Sequence, residues 1–423
     1  MIAVVIIFTI LFLGFKRPIY AIGLLLQINI IRSLNELNIS DPCLRCSYES
    51  SFLLGALTPL MSFLVIIFGY FLKGKRKIKF INSEFDVFFY ITIFYSFVIS
   101  FFSLDIYKSL DFSLRYLILG SSFYFISKLI LINAKKPEEE IYSLMRITLR
   151  LSIFFGSLAS IYFIKYYGQI WRLTLPGVIP IPFSQLLGFG ALISFVIFIS
   201  NGRFMNIKSK KRLKFNYLIL PLLILMLMAT NTRGVMLALF TSVFSYVFLA
   251  KIKIRKRTLF FIGGLMICAL IVAINYIDFE VLFSRILFKG TNSSVSDRYI
   301  AYFDTIKIFI RNPFGIGPNV FDQYSILPYP HNFFLENMSS FGLVGLFLDL
   351  FMILMFVYML LTTLKYRKND LIIVFLFSLN VYFFVETMFS FTLWMHKGLY
   401  LSLGLFMGYL YRLKSNYYES KPY

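Results

Sequence analysis

Acidic residues are scarce in this chain, and so are the residues that most often bind metals or carry acid–base chemistry. Its 423 residues include 20 aspartates and glutamates against 42 lysines and arginines, with two histidines and three cysteines. Only 15% of the residues are charged, whereas 59% are hydrophobic, 19% are aromatic and the mean hydropathy is +0.79. A soluble fold could not cover so much apolar surface. The composition therefore predicts an all-α integral membrane protein.

Several motifs are absent, and each absence removes a class of chemistry. The chain has no GxxxxGK[ST] loop, no glycine-rich dinucleotide fingerprint and no soluble domain for a nucleotide-sugar donor. Cys43 and Cys46 form a CxxC without a second ligand pair, so zinc is not predicted, and both a disulfide and two free thiols remain open. The acidic pair Asp278 and Glu280 is weak evidence for a metal site. We therefore expect no metal and no cofactor.

The net charge of +22 comes mainly from short basic hairpins between apolar runs. That arrangement is typical of the positive-inside rule, so it does not indicate a nucleic-acid partner. Successive hairpins are separated by an even number of apolar runs, which places them all on the cytoplasmic side of the membrane. These hairpins cover residues 73–79, 201–214, 251–257, 365–368 and 412–414.

The apolar runs predict a bundle of about twelve transmembrane helices, twelve or thirteen because the first two runs are short and interrupted by Lys16-Arg17-Pro18. The prediction divides the chain into N-terminal transmembrane helices (1–277), a large, partly helical periplasmic loop near the C-terminal third (278–337) and C-terminal transmembrane helices with a cytoplasmic tail (338–423). The predicted spans are 2–15, 18–31, 51–72, 86–104, 113–132, 141–165, 185–200, 216–230, 234–250, 258–277, 340–361, 371–390 and 398–411.

An amphipathic helix is predicted in the external loop, with Ser296 as its N-cap. Such a helix would lie against the membrane surface or cap the bundle. Its apolar residues recur at helical spacing: Tyr299, Tyr302, Phe303, Ile306, Phe309 and Ile310.

The sequence after this helix is rich in residues that set the backbone direction. Asn312-Pro313 ends the helix, and the glycines of the 315–318 segment make a tight bend. Pro328 and Pro330 hold the approach to His331 extended, and Asn332 begins the next helix. In that helix, Gly342 and Gly345 permit close packing against a neighbour.

Arginines at the external side are the candidate phosphate ligands. Arg233 lies in a turn between two spans, where its guanidinium could clamp a phosphate or anchor the chain at the membrane interface. Arg298 is expected in the first turn of the amphipathic helix, where free N–H groups also favour anions, although a solvated surface charge fits as well. Arg285 and Arg311 are weaker candidates for the same role.

His331 is the candidate acid–base residue. It is framed by prolines at the mouth of a helix, on the same predicted side as the arginines. Imidazole is the side chain best suited to accept a proton near neutral pH, although an ordinary surface histidine is the alternative interpretation. His396, in a short external loop, is the second candidate for the base.

One long motif resembles a known family. The run DRYIAYFDTIKIFIRNPFGIGPNVF, followed by PHNFFLENMSSFGLVG and preceded by TNTRG, resembles the O-antigen ligase and O-antigen polymerase family over about residues 230–346. The resemblance implies about twelve membrane helices, an undecaprenyl-diphosphate-linked glycan donor and metal-independent transfer. By the same resemblance, Arg233 and Arg298 match the family's essential arginines, and His331 its catalytic histidine.

These observations together predict a membrane glycosyltransferase of surface polysaccharide assembly. The residues assigned to substrate binding are Arg233, Arg298, Arg311, Arg285 and Asn332. The compact external loop favours a polymerase, which joins one lipid-linked repeat unit to another. The alternatives are a ligase that transfers the glycan to lipid A-core and, from another class, a transporter, for which Glu386 inside a span is the main support. The expected partners are the bilayer, the lipid-linked oligosaccharide, and a chain-length regulator and flippase of the same pathway.

Overall fold

The structure is a computed structural model that describes residues 18–28, 30, 79, 81–166, 172–176, 178–200, 204, 210–251 and 293–419. Within these ranges the chain is helical and forms no strand, which confirms the all-α prediction. Five continuous helical stretches of the described residues, one of them Ile106–Asn133, are long and apolar enough to cross a membrane, so the chain is a multi-pass membrane protein. The count of about twelve spans, the domain limits and the periplasmic placement of the loop stay predictions.

The described helices overlap the predicted spans, and their ends differ from the predicted ends by up to nine residues. The predicted spans 2–15, 51–72 and 258–277 lie outside the described residues. The helices are α1 (Pro18–Leu26), α2 (Glu84–Ser100), α3 (Ile106–Arg115), α4 (Ser122–Asn133), α5 (Pro137–Lys165), α6 (Pro180–Ile199), α7 (Lys210–Ala229), α8 (Arg233–Ala250), α9 (Ser293–Arg311), α10 (Phe333–Tyr366), α11 (Leu371–Thr387) and α12 (Lys397–Glu419).

Short polar residues and prolines determine where several helices begin. Asp105, Asn332 and Asp370 each accept hydrogen bonds from backbone N–H groups in the first turn of the helix that follows. Pro137 and Pro180 occupy the first positions of α5 and α6, where a missing N–H has no consequence for the helix. These local signals explain why many helix starts are readable from the sequence.

Hydrogen bonds join neighbouring helix ends at each of the two ends of the bundle. At one end, the backbone N–H of Lys79 donates to Asn133 at 2.9 Å, and the hydroxyl of Tyr409 donates to Asp370 at 2.6 Å. At the other end, the segments that precede α3, α10 and α12 contact one another. The segment around Asn332, which precedes α10, therefore lies at the end remote from the basic 365–368 hairpin.

Helix α10 is kinked at Gly342, which has the non-helical backbone angles φ 60° and ψ −134°. The kink leaves carbonyl groups in the preceding turn without helical partners. The N–H groups of Ile316 and Gly317 donate to the carbonyls of Ser339 and Ser340 at 3.0 and 3.1 Å. The 313–317 bend thus satisfies the backbone groups that the kink exposes.

The bend and the kink meet backbone to backbone, and only glycine fits at the closest points. The N–H of Leu343 donates to the carbonyl of Pro313 at 2.8 Å. A Cβ on Gly342 would lie 2.1 Å from that same carbonyl oxygen, and a Cβ on Gly315, at φ 92°, would lie 2.3 Å from the carbonyl oxygen of Ser340. The neighbour predicted for Gly342 is therefore the bend that precedes α10.

Helix α9 begins at Ser293, three residues before the predicted N-cap Ser296. Arg298 therefore lies in the second turn of α9, and the prediction that it lies in the first turn was wrong. Residues 293–296 read Ser-Ser-Val-Ser, so several residues of the preferred capping type compete at this point and the sequence does not choose between them.

The side of α9 that packs against the protein is formed by residues other than the predicted apolar set, which leaves the predicted membrane-surface position of that set untested. Ala301, Thr305 and Ile308 are buried, and the two apolar ones pack with Val320 and Phe321 of the following segment. Ala301 and Thr305 are small, so this side of α9 can lie close to the segment that follows it. The larger apolar side chains lie on the exposed side of the helix. The exposed apolar residues of α9 are Tyr299, Ile300, Phe303, Ile306 and Ile310.

Candidate active site around His331

The backbone places His331 directly before α10 in a strained conformation. Its φ of 57° lies in the left-handed region, which residues other than glycine rarely adopt. Asn332, the next residue, returns to an extended conformation and caps α10. Such outliers cost about 1–3 kcal/mol and persist where the surrounding structure fixes them. The backbone at His331 is therefore held by its neighbours.

The imidazole of His331 is half-buried and is neutral at neutral pH. Its ring centroid lies 4.2 Å from that of Tyr329, with the rings tilted by 46°. Within the described residues, Nδ1 of His331 has no hydrogen-bond partner. Burial, together with the positive charge of Arg298, lowers the pKa of His331 to about 4. The ring thus has a nitrogen that is not engaged by the fold.

Arg298 and Tyr329 share the environment of His331. Burial and the negative charge of Glu336 raise the pKa of Tyr329 to about 12, and the charge of Arg298 acts in the opposite direction. Tyr329 therefore contacts His331, and the charges of Arg298 and Glu336 act on this pair of side chains. Sequence reasoning missed Tyr329 and Glu336, although Tyr329 lies between the two prolines that precede His331.

Asn332 and Glu336 attach the start of α10 to the 388–393 segment. The Oδ1 atom of Asn332 accepts from two backbone N–H groups of α10, and its Nδ2 donates to the carbonyl of Met388 at 3.4 Å. The carboxylate of Glu336 accepts hydrogen bonds from the hydroxyl of Thr392 and, at 3.0 Å, from the N–H of Leu393. The side chain of Asn332, predicted to bind substrate, is thus engaged within the fold.

Arg233 lies next to the same segment. It is the first residue of α8 and is exposed, and the preceding turn is made by Asn231, with φ 54°. A Cβ on the next residue, Gly234, would lie 2.9 Å from Cβ of Phe389, so the N-terminus of α8 abuts the 388–393 segment. Arg233 and His331 are therefore connected through this segment.

The remaining predicted ligands lie elsewhere. Arg311 ends α9, about 20 Å along that helix from Arg298 at about 1.5 Å per residue, and is exposed. The structure therefore does not bring Arg311 together with His331. Arg285 and the acidic pair Asp278 and Glu280 lie outside the described residues. Among the described side chains, no group of three or more His, Cys, Asp or Glu residues could hold a metal ion.

His396, the second candidate for the base, is a core residue. It is 2% exposed and packs against Phe333 and Phe391. Neither ring nitrogen has a hydrogen-bond partner in the described part of the chain, and burial lowers the pKa of His396 to about 3. The enclosing aromatic side chains make it less accessible to a sugar hydroxyl than His331.

Residues 218–350 match the model of a protein family described as O-antigen ligase. That interval contains Arg233, Arg298 and His331, as well as the bend and the kink that fit together through their glycines. No curated protein and no solved structure matches the chain. The match includes the whole stretch whose motifs carried the resemblance, and so the resemblance to the O-antigen ligase and polymerase family is confirmed.

Proposed function

We propose that this protein is a membrane glycosyltransferase of bacterial surface polysaccharide assembly, located in the inner membrane with its active site facing the periplasm. It would transfer a glycan from an undecaprenyl-diphosphate-linked donor to a sugar hydroxyl. The family match supports the class of reaction. The observation that carries the chemistry is the placement of the Arg298 cation near the half-buried, neutral imidazole of His331.

In the proposed reaction, the acceptor hydroxyl gives its proton to His331 while its oxygen attacks C1 of the donor sugar. The bond between C1 and the phosphate oxygen breaks, and its electron pair leaves with the lipid diphosphate. Arg233 and Arg298 donate hydrogen bonds to the diphosphate and stabilise the negative charge that develops on it. Because the leaving group is already activated, the reaction needs no nucleotide and no metal.

The charge of Arg298 couples donor binding to the basicity of His331. A diphosphate bound by Arg298 would offset the guanidinium charge, one of the two causes that lower the pKa of His331 to about 4. The pKa of His331 would then rise towards the pH at which the reaction runs, where a general base is most effective. The histidine becomes a better base when the donor is in place.

The acceptor that we propose is a second lipid-linked repeat unit, which makes the protein a polymerase. The support is the compactness of the external stretch, which is held close to the bundle. Lys108 and Asp322 form an ion pair at 2.6 Å, and the hydroxyl of Ser109 donates to the carbonyl of Pro318 at 2.7 Å. A ligase acting on lipid A-core is the alternative. The proposed partners are the bilayer, a chain-length regulator and a flippase.

Substitution of His331 tests the chemistry and the acceptor together. His331→Ala should lower the transfer rate of the purified protein by about two to four orders of magnitude, because the general base is lost. Binding of the lipid-linked donor should stay close to that of the wild type, because the arginines hold the diphosphate. The control is Glu139→Gln, which changes an exposed carboxylate outside this stretch.

In cells, the glycan profile of the His331→Ala strain distinguishes the two acceptors. A polymerase without its base should still display single repeat units on the surface lipid. A ligase without its base should leave fully polymerised glycan on the lipid diphosphate, together with bare lipid A-core. Wild-type glycan in this strain would contradict the role of His331.

The transporter alternative depends on Glu386, an ionisable residue inside a span. It is buried within α11, and its Oε1 has no hydrogen-bond partner in the described part of the chain. An ionisable group inside a span often marks a transport pathway. Glu386→Gln should leave the transfer rate of the purified protein unchanged if the protein is a transferase. Normal transfer by the His331→Ala variant with loss of glycan export in Glu386→Gln would favour transport.

A further inference from the structure

Glu336 is a buried carboxylate that contributes no atom to the proposed reaction. It is 3% exposed and lies just over one helical turn after His331. Burial of a carboxylate is unfavourable unless hydrogen bonds compensate for the lost water. For packing alone, an apolar side chain of similar size would serve as well or better. Its presence therefore points to a role in local geometry.

The hydrogen bonds of Glu336 end on the segment that connects the two proposed catalytic groups. Thr392 and Leu393, which donate to Glu336, belong to the 388–393 segment. Phe389, in the same segment, is in close contact with Gly234, directly after Arg233. A shift of this segment relative to α10 would therefore change the position of Arg233 relative to His331.

We propose that Glu336 is a positioning residue that fixes the 388–393 segment against α10 and thereby holds Arg233 at the correct distance from His331. The inference rests on the proposed function, because it requires that both residues act on one substrate. A misplacement of about 1 Å between catalytic groups can lower the rate about 100-fold. The two hydrogen bonds of Glu336 oppose such a shift.

Three variants test the contact from both sides. Glu336→Gln keeps the size of the side chain but presents an amide in place of one accepting oxygen, so we expect a loss of about 10- to 100-fold in the rate at saturating donor. Thr392→Val removes only the hydroxyl and should lower the rate less. Thr392→Ser keeps the hydroxyl and should restore most of the rate, which a role of Thr392 in packing alone would not predict.

A matched control exists at the opposite end of the bundle. Asp370 also accepts hydrogen bonds from backbone N–H groups and from a hydroxyl, that of Tyr409. Asp370→Asn should lower the thermal midpoint in detergent while leaving the rate at saturating donor unchanged. If Asp370→Asn and Glu336→Gln lower the rate equally, the effect of Glu336 is general destabilisation and the inference is overturned.

A double-mutant cycle with Arg233 shows whether Glu336 acts through it. If Glu336 serves to place Arg233, Glu336→Gln should cause little further loss in an Arg233→Ala background, because coupled residues are not additive. Equal fold losses in both backgrounds, or a wild-type rate for Glu336→Gln, would overturn the inference. A wild-type rate for Arg233→Ala would instead contradict the proposed function itself, whatever Glu336→Gln does.

Discussion

Arg298 and His331 form an electrostatic pair between α9 and the residue that precedes α10. The guanidinium charge acts together with burial to lower the pKa of the imidazole to about 4. A histidine that must be neutral to accept a proton is thereby kept neutral well below its usual titration range. This pairing makes the pH dependence of the reaction a test of the geometry.

The first prediction concerns the acidic limb of the pH–rate profile. In the free enzyme, kcat/KM should fall on acidification only as the pH approaches about 4, because His331 is active when neutral and is protonated below its pKa. Arg298→Gln leaves burial as the remaining cause, so the pKa of His331 rises and the limb moves to higher pH. Lys307→Gln, a change of another cation on α9, should leave the limb in place. An unchanged limb in Arg298→Gln would contradict the pairing.

The second prediction separates the charge of Arg233 from its shape. Arg233→Lys keeps the cation but loses the two-pronged contact with phosphate oxygens, so we expect a large loss of transfer activity at normal expression. Lys251→Gln, at the other end of α8, is the control for a changed cation. If Arg233→Lys is as active as the wild type, Arg233 serves as an interface anchor.

The third prediction tests the contact between bend and kink. Gly342→Ala would bring a Cβ to 2.1 Å from the carbonyl oxygen of Pro313 and force alanine into a positive φ. We expect the free energy of unfolding to fall by about 1–3 kcal/mol, measured as a lower thermal midpoint in detergent. Gly156→Ala is the matched control, because its Cβ would meet the flexible end of Met226. Equal midpoints for the two variants would argue against this contact.

The fourth prediction uses the buried imidazole of His396, whose folded-state pKa is about 3. The unfolded chain binds a proton below about pH 6.5, whereas the folded chain does not until near pH 3. Stability from this residue is therefore complete above pH 6.5 and falls by about 1.4 kcal/mol per pH unit below it. His396→Phe should flatten the acid dependence of the thermal midpoint. An equally steep dependence in the variant would exclude His396 as a source.

The fifth prediction concerns metals. The two-arginine clamp supplies the positive charge in the proposed mechanism, so transfer by the purified protein should be unaffected by EDTA. The measurement is the rate before and after dialysis against the chelator. If EDTA abolishes transfer and a divalent ion restores it, the acidic pair Asp278 and Glu280 becomes the better candidate site.

The helices were readable from the sequence wherever local signals agree. Apolar runs, the prolines at the starts of α5 and α6, and caps such as Asn332 and Asp370 act within a few residues, so the sequence shows them directly. The start and the buried face of α9 were not readable, because Ser293 to Ser296 offer competing caps and the burial of Ala301 depends on a distant segment.

Only part of the site could be predicted from the sequence, because some of its residues depend on contacts with distant segments. The residue types and the framing prolines identify Arg233, Arg298 and His331 as candidates. Glu336 lies in the run that carries the family resemblance, but its contacts could not be predicted, because Thr392 and Leu393 lie far along the chain. Contacts between remote segments need the tertiary structure.

The contact between the 313–317 bend and the kink of α10 is made largely by main-chain atoms. It therefore demands the absence of a side chain at Gly315 and Gly342, whereas the side chain of Leu343, which is 53% exposed, is left without such a constraint. In a saturation mutagenesis library, these two glycine codons should be nearly invariant among active clones while the codon for Leu343 varies freely. The fold therefore constrains this part of the sequence mainly through the positions of its glycines, and less through any reactive chemical group.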